Sequence, residues 1–561
     1  MSRKKHKPSA PPSLGLPPEV ELDLKELAAI VERTQKEPLN VEEHAKLRVA
    51  MATLATTLEV VAVLRAELQS KRTSIERLRG MLFGTRTEKT TQVLGKEGEP
   101  EGAPEGAAGT IAQRKRPPGH GRNGAAAYRG AEHIHVPHPH LSGGDGCPGC
   151  QRGKVYPLES PAMLVRITGM APLGARVYAC DRLRCNLCGE VYTAAAPEGV
   201  GCEKYDATAS SMVGLLKYGT GLPFNRIEKL QAAMRIPLPA ATQWDLVKGA
   251  APDLLPAHEE LIRQAAQGSV LHNDDTTMKV LNLTSEQRAA ALGEDAEEGR
   301  TGVFTSGIVA TGAGHRIALF FTGVRHAGEN LAAVLEQRAE ELPAPIQMCD
   351  GLSSNTAGDF ETLLSNCNAH ARRKYVEVAA DFPEEVRFVL EQLREVYKTD
   401  AKARSKGLSP EQRLQLHQEK SGPRMAALEQ WMRTQFDERR VEPNSSLGEA
   451  IRYMQKRWGA LTLFLRMPGV PLDNNITEQA LKKAILHRKN ALFYKTLNGA
   501  RVGDIFMSLI YTAELNGVAP FDYLVALQRH RADVAEHPAD WMPWNYRDTL
   551  ARLTSGPGPP V

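Results

Sequence analysis

The sequence predicts a multidomain chain of the α+β class, and three observations carry that expectation. At 561 residues the chain is longer than the roughly 250 to 300 residues at which a single hydrophobic core stops growing. Two Cys-x-x-Cys pairs stand in its first half. From Ser269 onward, short strand-like runs alternate with helical ones, as in a mixed sheet with helices packed on it.

The amino-terminal element, residues 1–94, is read from its period. An apolar residue recurs at every seventh position from Leu47 through Leu54, Val61, Leu68, Ile75 and Leu82, which is the repeat of a coiled coil. The second seam, Ala50, Thr57, Leu64, Lys71 and Leu78, is weaker. The segment reads as a self-associating helix, with a long amphipathic helix packed on its own chain as the alternative. Residues 95–130 are rich in Gly, Pro, Ala and charge and poor in large apolar side chains. They bury too little surface to offset the entropy of ordering and read as a flexible linker.

Residues 131–200 carry the cysteines. Cys147 and Cys150 form one knuckle, Cys185 and Cys188 the other, and a strand-like run joins them. Four thiolates so spaced can converge tetrahedrally on one structural Zn²⁺ in a zinc ribbon-like module. Cys180 and the imidazole run His133, His135, His138 and His140 are left out of that site. Eight cysteines in so long a chain do not make a disulfide scaffold.

Residues 201–268 show helical spacing broken by Gly and Pro. Within them "NRIEKLQAAMRIPLPAATQWDLVKG" reads as a helix, a short turn and a second helix opening near Ala240. That is the geometry of a helix-turn-helix DNA-binding region, and equally that of a hairpin packed on the neighbouring core.

The strands follow over residues 269–515: "SVLHNDDTTMKVL", "GVFTSGIVAT" and "HRIALFFTG" as a meander, then the helical "NLAAVLEQRAEEL" and the strand "PIQMCD". A charged helical stretch over about residues 382–440 reads as an insertion, and residues 516–561 as a carboxy-terminal tail element. The net charge is only +4, but basic residues cluster at Arg3–Lys7, Arg114–Arg116 and Lys482–Lys489, which favours an anionic partner. No apolar run approaches the ~20 residues of a membrane span, and the amino terminus lacks the apolar centre of a secretory signal. A cytoplasmic protein is expected.

Two adjacent carboxylates interrupt the first strand, Asp274 and Asp275. Alternate side chains share a face, so Asp274 stands with His272 and Thr276, and Asp275 with Asn273 and Thr277; only one of the two can point at a given site. Asp350 ends the fourth strand ahead of Gly351, and the first and fourth strands can lie side by side. Glu478 sits on a helix that Asp473 or Asn474 can cap, with Leu481, Ile485 and Leu486 as its apolar face. Three carboxylates at a sheet edge repel one another unless cations lie between them, and their hard oxygens suit Mg²⁺ or Mn²⁺. Two such ions could activate an attacking oxygen and stabilise a leaving one at a phosphodiester.

The chain resembles the transposases of the insertion sequence 66 family, of the DDE group with an RNase H-like catalytic core. The resemblance rests on "LRGMLFGTRTEK", the two Cys knuckles, "LHNDDT", "CNAHARRKY", "LDNNITEQALKKAILHRKNALF" and "YTAELNGVAPFDYL", and covers most of the chain. It implies Asp274, Asp350 and Glu478 as the catalytic and Mg²⁺-binding triad, with Asp275 where a second acid is common. Asn273, Asp275 and Asn368 depart from the usual Ala, Glu and aromatic residue. It also places His370, Arg372 and Arg373 close to the catalytic sheet. There guanidinium groups could hold a phosphate and His370 could orient a proton, with His487, Arg488 and Lys489 as further backbone clamps.

The implied activity is metal-dependent cleavage at terminal inverted repeats of double-stranded DNA, followed by 3′-hydroxyl strand transfer into target DNA. The implied setting is a homo-oligomer, nucleoid-associated and assisted by accessory proteins of the same element. The alternatives are a zinc-containing DNA-binding regulator without catalysis and a metal-dependent nuclease without strand transfer.

Overall fold

The computed structural model describes residues 38, 41, 44–48, 140, 142–146, 148, 150–156, 171–184, 191–195, 197, 198, 203–292 and 301–555. The linker and nearly all of the heptad segment lie outside them, as do Cys147, Cys185 and Cys188. The chain divides into two compact units, residues 1–96 and 97–561, and the elements below belong to the second.

Near the cysteines, Gly146 bridges Lys154 antiparallel, and the Val155 N–H donates to Asp145 O at 2.9 Å. Cys147 to Cys150 therefore fall in the chain between two paired segments. Strands Arg182–Arg184 and Val191–Thr193 also pair antiparallel, and Cys185 and Cys188 fall between them in sequence.

Helices α1 (Ala207–Gly214), α2 (Phe224–Ala233) and α3 (Ala240–Ala266) follow. The expected hairpin is present as α2 and α3. Its second helix runs on for 27 residues, with Val247, Leu254, Ala257, Leu261 and Ala265 buried, so most of its length is core. Pro252 and Pro256 lie within it.

Five strands form the central sheet: β1 (Val270–Thr277), β2 (Phe304–Gly312), β3 (His315–Gly323), β4 (Ile346–Cys349) and β5 (Leu363–Asn366). Their order is β3-β2-β1-β4-β5. The first three make an antiparallel meander, while β4 pairs parallel to β1 in register Val270↔Ile346 and β5 parallel to β4. The crossover from β3 to β4 passes through α4 (Ala327–Leu335), as a parallel connection requires. Leu271, Ile308, Leu319 and Phe320 are fully buried at the centre.

Helices α5 (Asn368–Val376), α6 (Pro383–Ser405), α7 (Pro410–Lys420), α8 (Gly422–Asp437) and α9 (Ser446–Lys456) come next. They lead to α10 (Asn475–Ala491) and α11 (Leu497–Leu515). Gly307, paired with Asp274 across β1 and β2, lets α10 come close: a Cβ there would lie 3.0 Å from Leu481 Cδ2. The apolar side of α10 differs from expectation. Ala480, Leu481 and Ala484 are buried, whereas Leu486 is 41 % exposed.

Helix α11 covers the open edge of the sheet. Thr512 Oγ1, Ser508 Oγ and Asp504 Oδ2 accept from the N–H groups of Ala318, Phe320 and Thr322 at 3.0, 3.0 and 2.7 Å, and Asn516 Oδ1 from Arg316 at 3.2 Å. Outward N–H groups recur every ~6.7 Å along a strand and every fourth helical residue every ~6 Å, so the two ladders match. The edge is thereby closed to further strands. Helix α12 (Pro520–Arg529) and the residues after it belong to the same core, which contains Tyr523, Leu524, Val534 and Trp541. In packing terms residues 516–555 are therefore no tail, because their aromatic side chains complete the core.

Burial pushes the Asp504 carboxyl up to about 8 from 3.8, against the lowering bonds from Thr322. The folded protein then holds a proton that the unfolded chain releases. The associated stability is full below about pH 4 and lost as pH rises to about 8. Asp504→Asn can keep both bonds to Thr322 without ionising. It is expected to melt several degrees above wild type at pH 9, a difference that closes on acidification toward pH 4.

Among the described residues no helix is long and apolar enough to cross a membrane.

Candidate active site

The pleat of β1 divides its polar residues between two faces. On one face, His272 Nδ1 lies 3.2 Å from Asn474 Oδ1 at the start of α10, and Asn474 Nδ2 donates to Asn273 O at 3.0 Å. Asn474 occupies the N-cap position of α10 but turns its side chain into the strand, while Asp473 Oδ1 accepts from the Asn475 N–H at 3.2 Å. The helix is thus tied to β1 one turn from Glu478. Asp274 shares this face.

Asp350 follows β4, where Gly351 at φ +84° turns the chain. The turn is clamped by the residues beyond the helical insertion. Tyr453 O–H donates to Asp350 O at 2.7 Å, and Arg457 donates through Nη2 to Gly351 O at 2.8 Å while lying 4.1 Å over the Tyr453 ring. A Cβ on Gly351 would meet Arg457 Nε at 2.6 Å, so glycine is required for both conformation and space.

Asp350 and Glu478 both lie within electrostatic reach of Asp274. Burial, then the charge of Asp350, and then those of Asp275 and Glu478 push the Asp274 carboxyl up to about 7. Asn355 Nδ2 donates to Asp350 Oδ1 at 2.8 Å and reaches Asp274 Oδ1 at 3.4 Å. Glu478, in the first turn of α10, has Oε1 3.7 Å from His370 Nε2 on α5. Cys367, His370 and Glu478 offer ligand atoms within 4.8 Å of one another. Burial pushes the Cys367 thiol up to about 12.

Asp275 lies on the opposite face. Its backbone N–H donates to Asp274 Oδ1 at 2.8 Å, and its Oδ2 lies 2.7 Å from Nδ1 of His326, the N-cap of α4. His326 packs on Phe304 with ring centroids 4.1 Å apart. Arg372 is half-buried and Arg373 exposed on α5. Arg488 is turned onto the end of β1, bonding Thr276 Oγ1 at 3.1 Å, Thr277 Oγ1 at 2.6 Å and Thr277 O. Lys489 is exposed. His487 is buried, stacks 4.4 Å from the Tyr494 ring, and neither ring nitrogen has a partner; the backbone clamp expected of it is not reachable from that position.

Asn355, His326, Tyr453 and Arg457 are not among the residues singled out in the sequence, and Asn474 reads there only as a helix cap. Only Asn474 stood in a quoted motif, and the others carry no spacing signal because their partners are remote in the chain.

Comparison with known proteins follows the same part of the chain. A sequence model of the family described as Transposase IS66 family matches residues 204–502. Uncharacterized protein y4hP of Sinorhizobium fredii is 31 % identical over 203 residues, 33 % of this chain and 35 % of that protein. Uncharacterized protein y4jD of the same organism is 32 % identical over 189 residues, 33 % of this chain and 36 % of that protein. The chain thus spans about a third of the length of these relatives. No solved structure matches it.

Proposed function

Because the chain belongs to the IS66 family of transposases, we propose that Asp274, Asp350 and Glu478 are its catalytic acids and that it cuts and joins DNA at the ends of a mobile element. The observation that carries this reading is that Asp274 of β1 has Asp350, from the end of β4, and Glu478 of α10 within electrostatic reach, with the Asn355 amide reaching both aspartates. The sheet order, a three-strand meander followed by two parallel strands, supports an RNase H-like core.

The donor set fits hard divalent cations, since all three side chains offer carboxylate oxygens. Bound there, two Mg²⁺ or Mn²⁺ ions would supply an activated attacking oxygen and charge stabilisation at the leaving oxygen. The protein's own residues do the rest. Asn474 ties α10 to β1 and so fixes Glu478, Tyr453 and Arg457 fix the backbone at Asp350, and His370 faces the Glu478 carboxylate. Arg372 and Arg373 on α5 are suited to the DNA backbone, and Lys489 offers an exposed cation. Arg488 and Asp275 act as supports of β1, the first through Thr276 and Thr277, the second through His326.

The amino-terminal heptads would hold copies of the chain together. Cys147, Cys150, Cys185 and Cys188 would bind structural Zn²⁺, with the Gly146–Lys154 bridge around the first knuckle and the paired strands around the second in favour. α2 and the exposed start of α3 would contact terminal repeats. Accessory proteins and a nucleoid location complete the proposal.

The reading is tested by incubating purified protein with labelled element-end DNA, target DNA and Mg²⁺. Joined product is the expected result. Cleavage without joining would make the protein a nuclease, and binding without either would make it a regulator.

The pH dependence of the site follows from Asp274, which must lose its proton before a cation binds. Apparent Mn²⁺ affinity is expected to fall by about tenfold per pH unit below about pH 7 and to level off above it, measured by titration calorimetry at pH 6, 7 and 8.

A further inference from the structure

Asn355 is 1 % exposed and lies in the turn Ser353–Asn355 after Asp350. Its backbone oxygen accepts from Asn273 Nδ2 and Gln347 Nε2, each at 2.7 Å, and Gln347 Nε2 lies 3.1 Å from Asn273 Oδ1. The turn is therefore pinned from below by β1 and β4. Its side chain uses only one end: Nδ2 serves Asp350 Oδ1 at 2.8 Å and Asp274 Oδ1 at 3.4 Å, while Oδ1 is buried without a partner. A buried amide oxygen left unpaired is costly. A packing role alone would be met better by an apolar side chain of the same shape.

We propose that Asn355 is the metal-free keeper of the two aspartates: its amide N–H group lies where positive charge is needed between Asp274 and Asp350, and a cation entering that gap must displace it. This inference rests on the reading of the acids as a cation site. Asn355 acts through the aspartates and is a positioning residue.

The consequence has an unusual sign. The amide stabilises the cation-free site and contributes nothing once a cation has replaced it. Removing it raises the free energy of the empty form and leaves the loaded form alone, so the cation binds more tightly. A charge-assisted hydrogen bond of this kind corresponds to about a tenfold change in affinity.

The test compares wild type, Asn355→Ala and Asp350→Asn by thermal melting and Mn²⁺ titration at pH 8, in the full chain and without DNA. Expected for Asn355→Ala is a lower melting temperature in chelator, a wild-type melting temperature in saturating Mn²⁺, and a Mn²⁺ midpoint about tenfold lower than wild type. A melting temperature lowered equally with and without Mn²⁺, or an unchanged or higher midpoint, overturns the proposal and makes Asn355 a structural or ligating residue. Asp350→Asn separates the two levels. If it keeps the wild-type Mn²⁺ response, the acids are not the cation site. If it loses that response while Asn355→Ala titrates like wild type, the keeper role alone fails.

Discussion

Asp274→Asn, Asp350→Asn and Glu478→Gln are each expected to lower cleavage and strand joining by at least about a thousandfold, ~4 kcal/mol of barrier, with binding to element-end DNA retained. The size follows from the arrangement. Each acid comes from a different element, so none can replace another, and amides of the same shape remove cation-binding charge without emptying space. Asp275→Asn is the informative contrast. Its side chain faces His326 on the other side of β1, and the amide can keep that hydrogen bond, so its loss should not exceed about tenfold. End-labelled substrates resolved on denaturing gels measure both steps. Wild-type joining by Asp350→Asn would remove the triad from the mechanism, and a thousandfold loss with Asp275→Asn would move the chemistry to the opposite face of the strand.

Gly328→Ala is expected to destabilise the protein by about 3 kcal/mol, seen as a melting temperature lowered by roughly 3 to 5 °C for a core of this size. Helix propensity alone predicts the reverse, a gain of up to ~1 kcal/mol for Gly to Ala. Packing decides the sign. Gly328 is buried in α4, where a Cβ would lie 2.1 Å from Thr356 O and 2.7 Å from Ser354 O. Both are backbone atoms and cannot swing aside. They flank Asn355, whose own oxygen is held by two bonds of 2.7 Å, so the retreat of the turn would carry the amide away from the aspartates. Gly249 in α3 is the control, since a Cβ there meets nothing within 4 Å and Gly249→Ala should melt slightly higher. A rise of the same size for Gly328→Ala would show that the turn yields freely.

The strands were legible because their signals are local. Apolar β-branched runs between Ser269 and Asp350 give β1 to β4, and the alternation of side chains along β1 separates Asp274 from Asp275 without reference to any other element. The opening of α3 near Ala240 was legible from "PLPA", but the length of its buried side was not, since a helix packed in a core and one presented to a groove share the same period. The polar ladder of α11 was present in the sequence as Asp504, Ser508, Thr512 and the C-cap Asn516, every fourth residue. Its meaning requires knowing that an unpaired strand edge lies opposite. The aromatic residues after Gly517 gave no period at all, and only their packing shows them to be core.

By itself the sequence determined the class of the fold, the candidate acids and their residue types, because charge interrupting an apolar strand and glycine after a terminal aspartate are statements about neighbours in the chain. The tertiary structure decided which aspartate of the pair neighbours Asp350 and which meets His326, and where Arg488 and His487 point. Those outcomes depend on contacts between residues far apart in sequence, Asn474 with His272, Tyr453 with Asp350, Asn355 with both aspartates. Hydrogen bonds of that kind leave no periodic trace, since their geometry exists only after the sheet, the insertion and α10 have packed together.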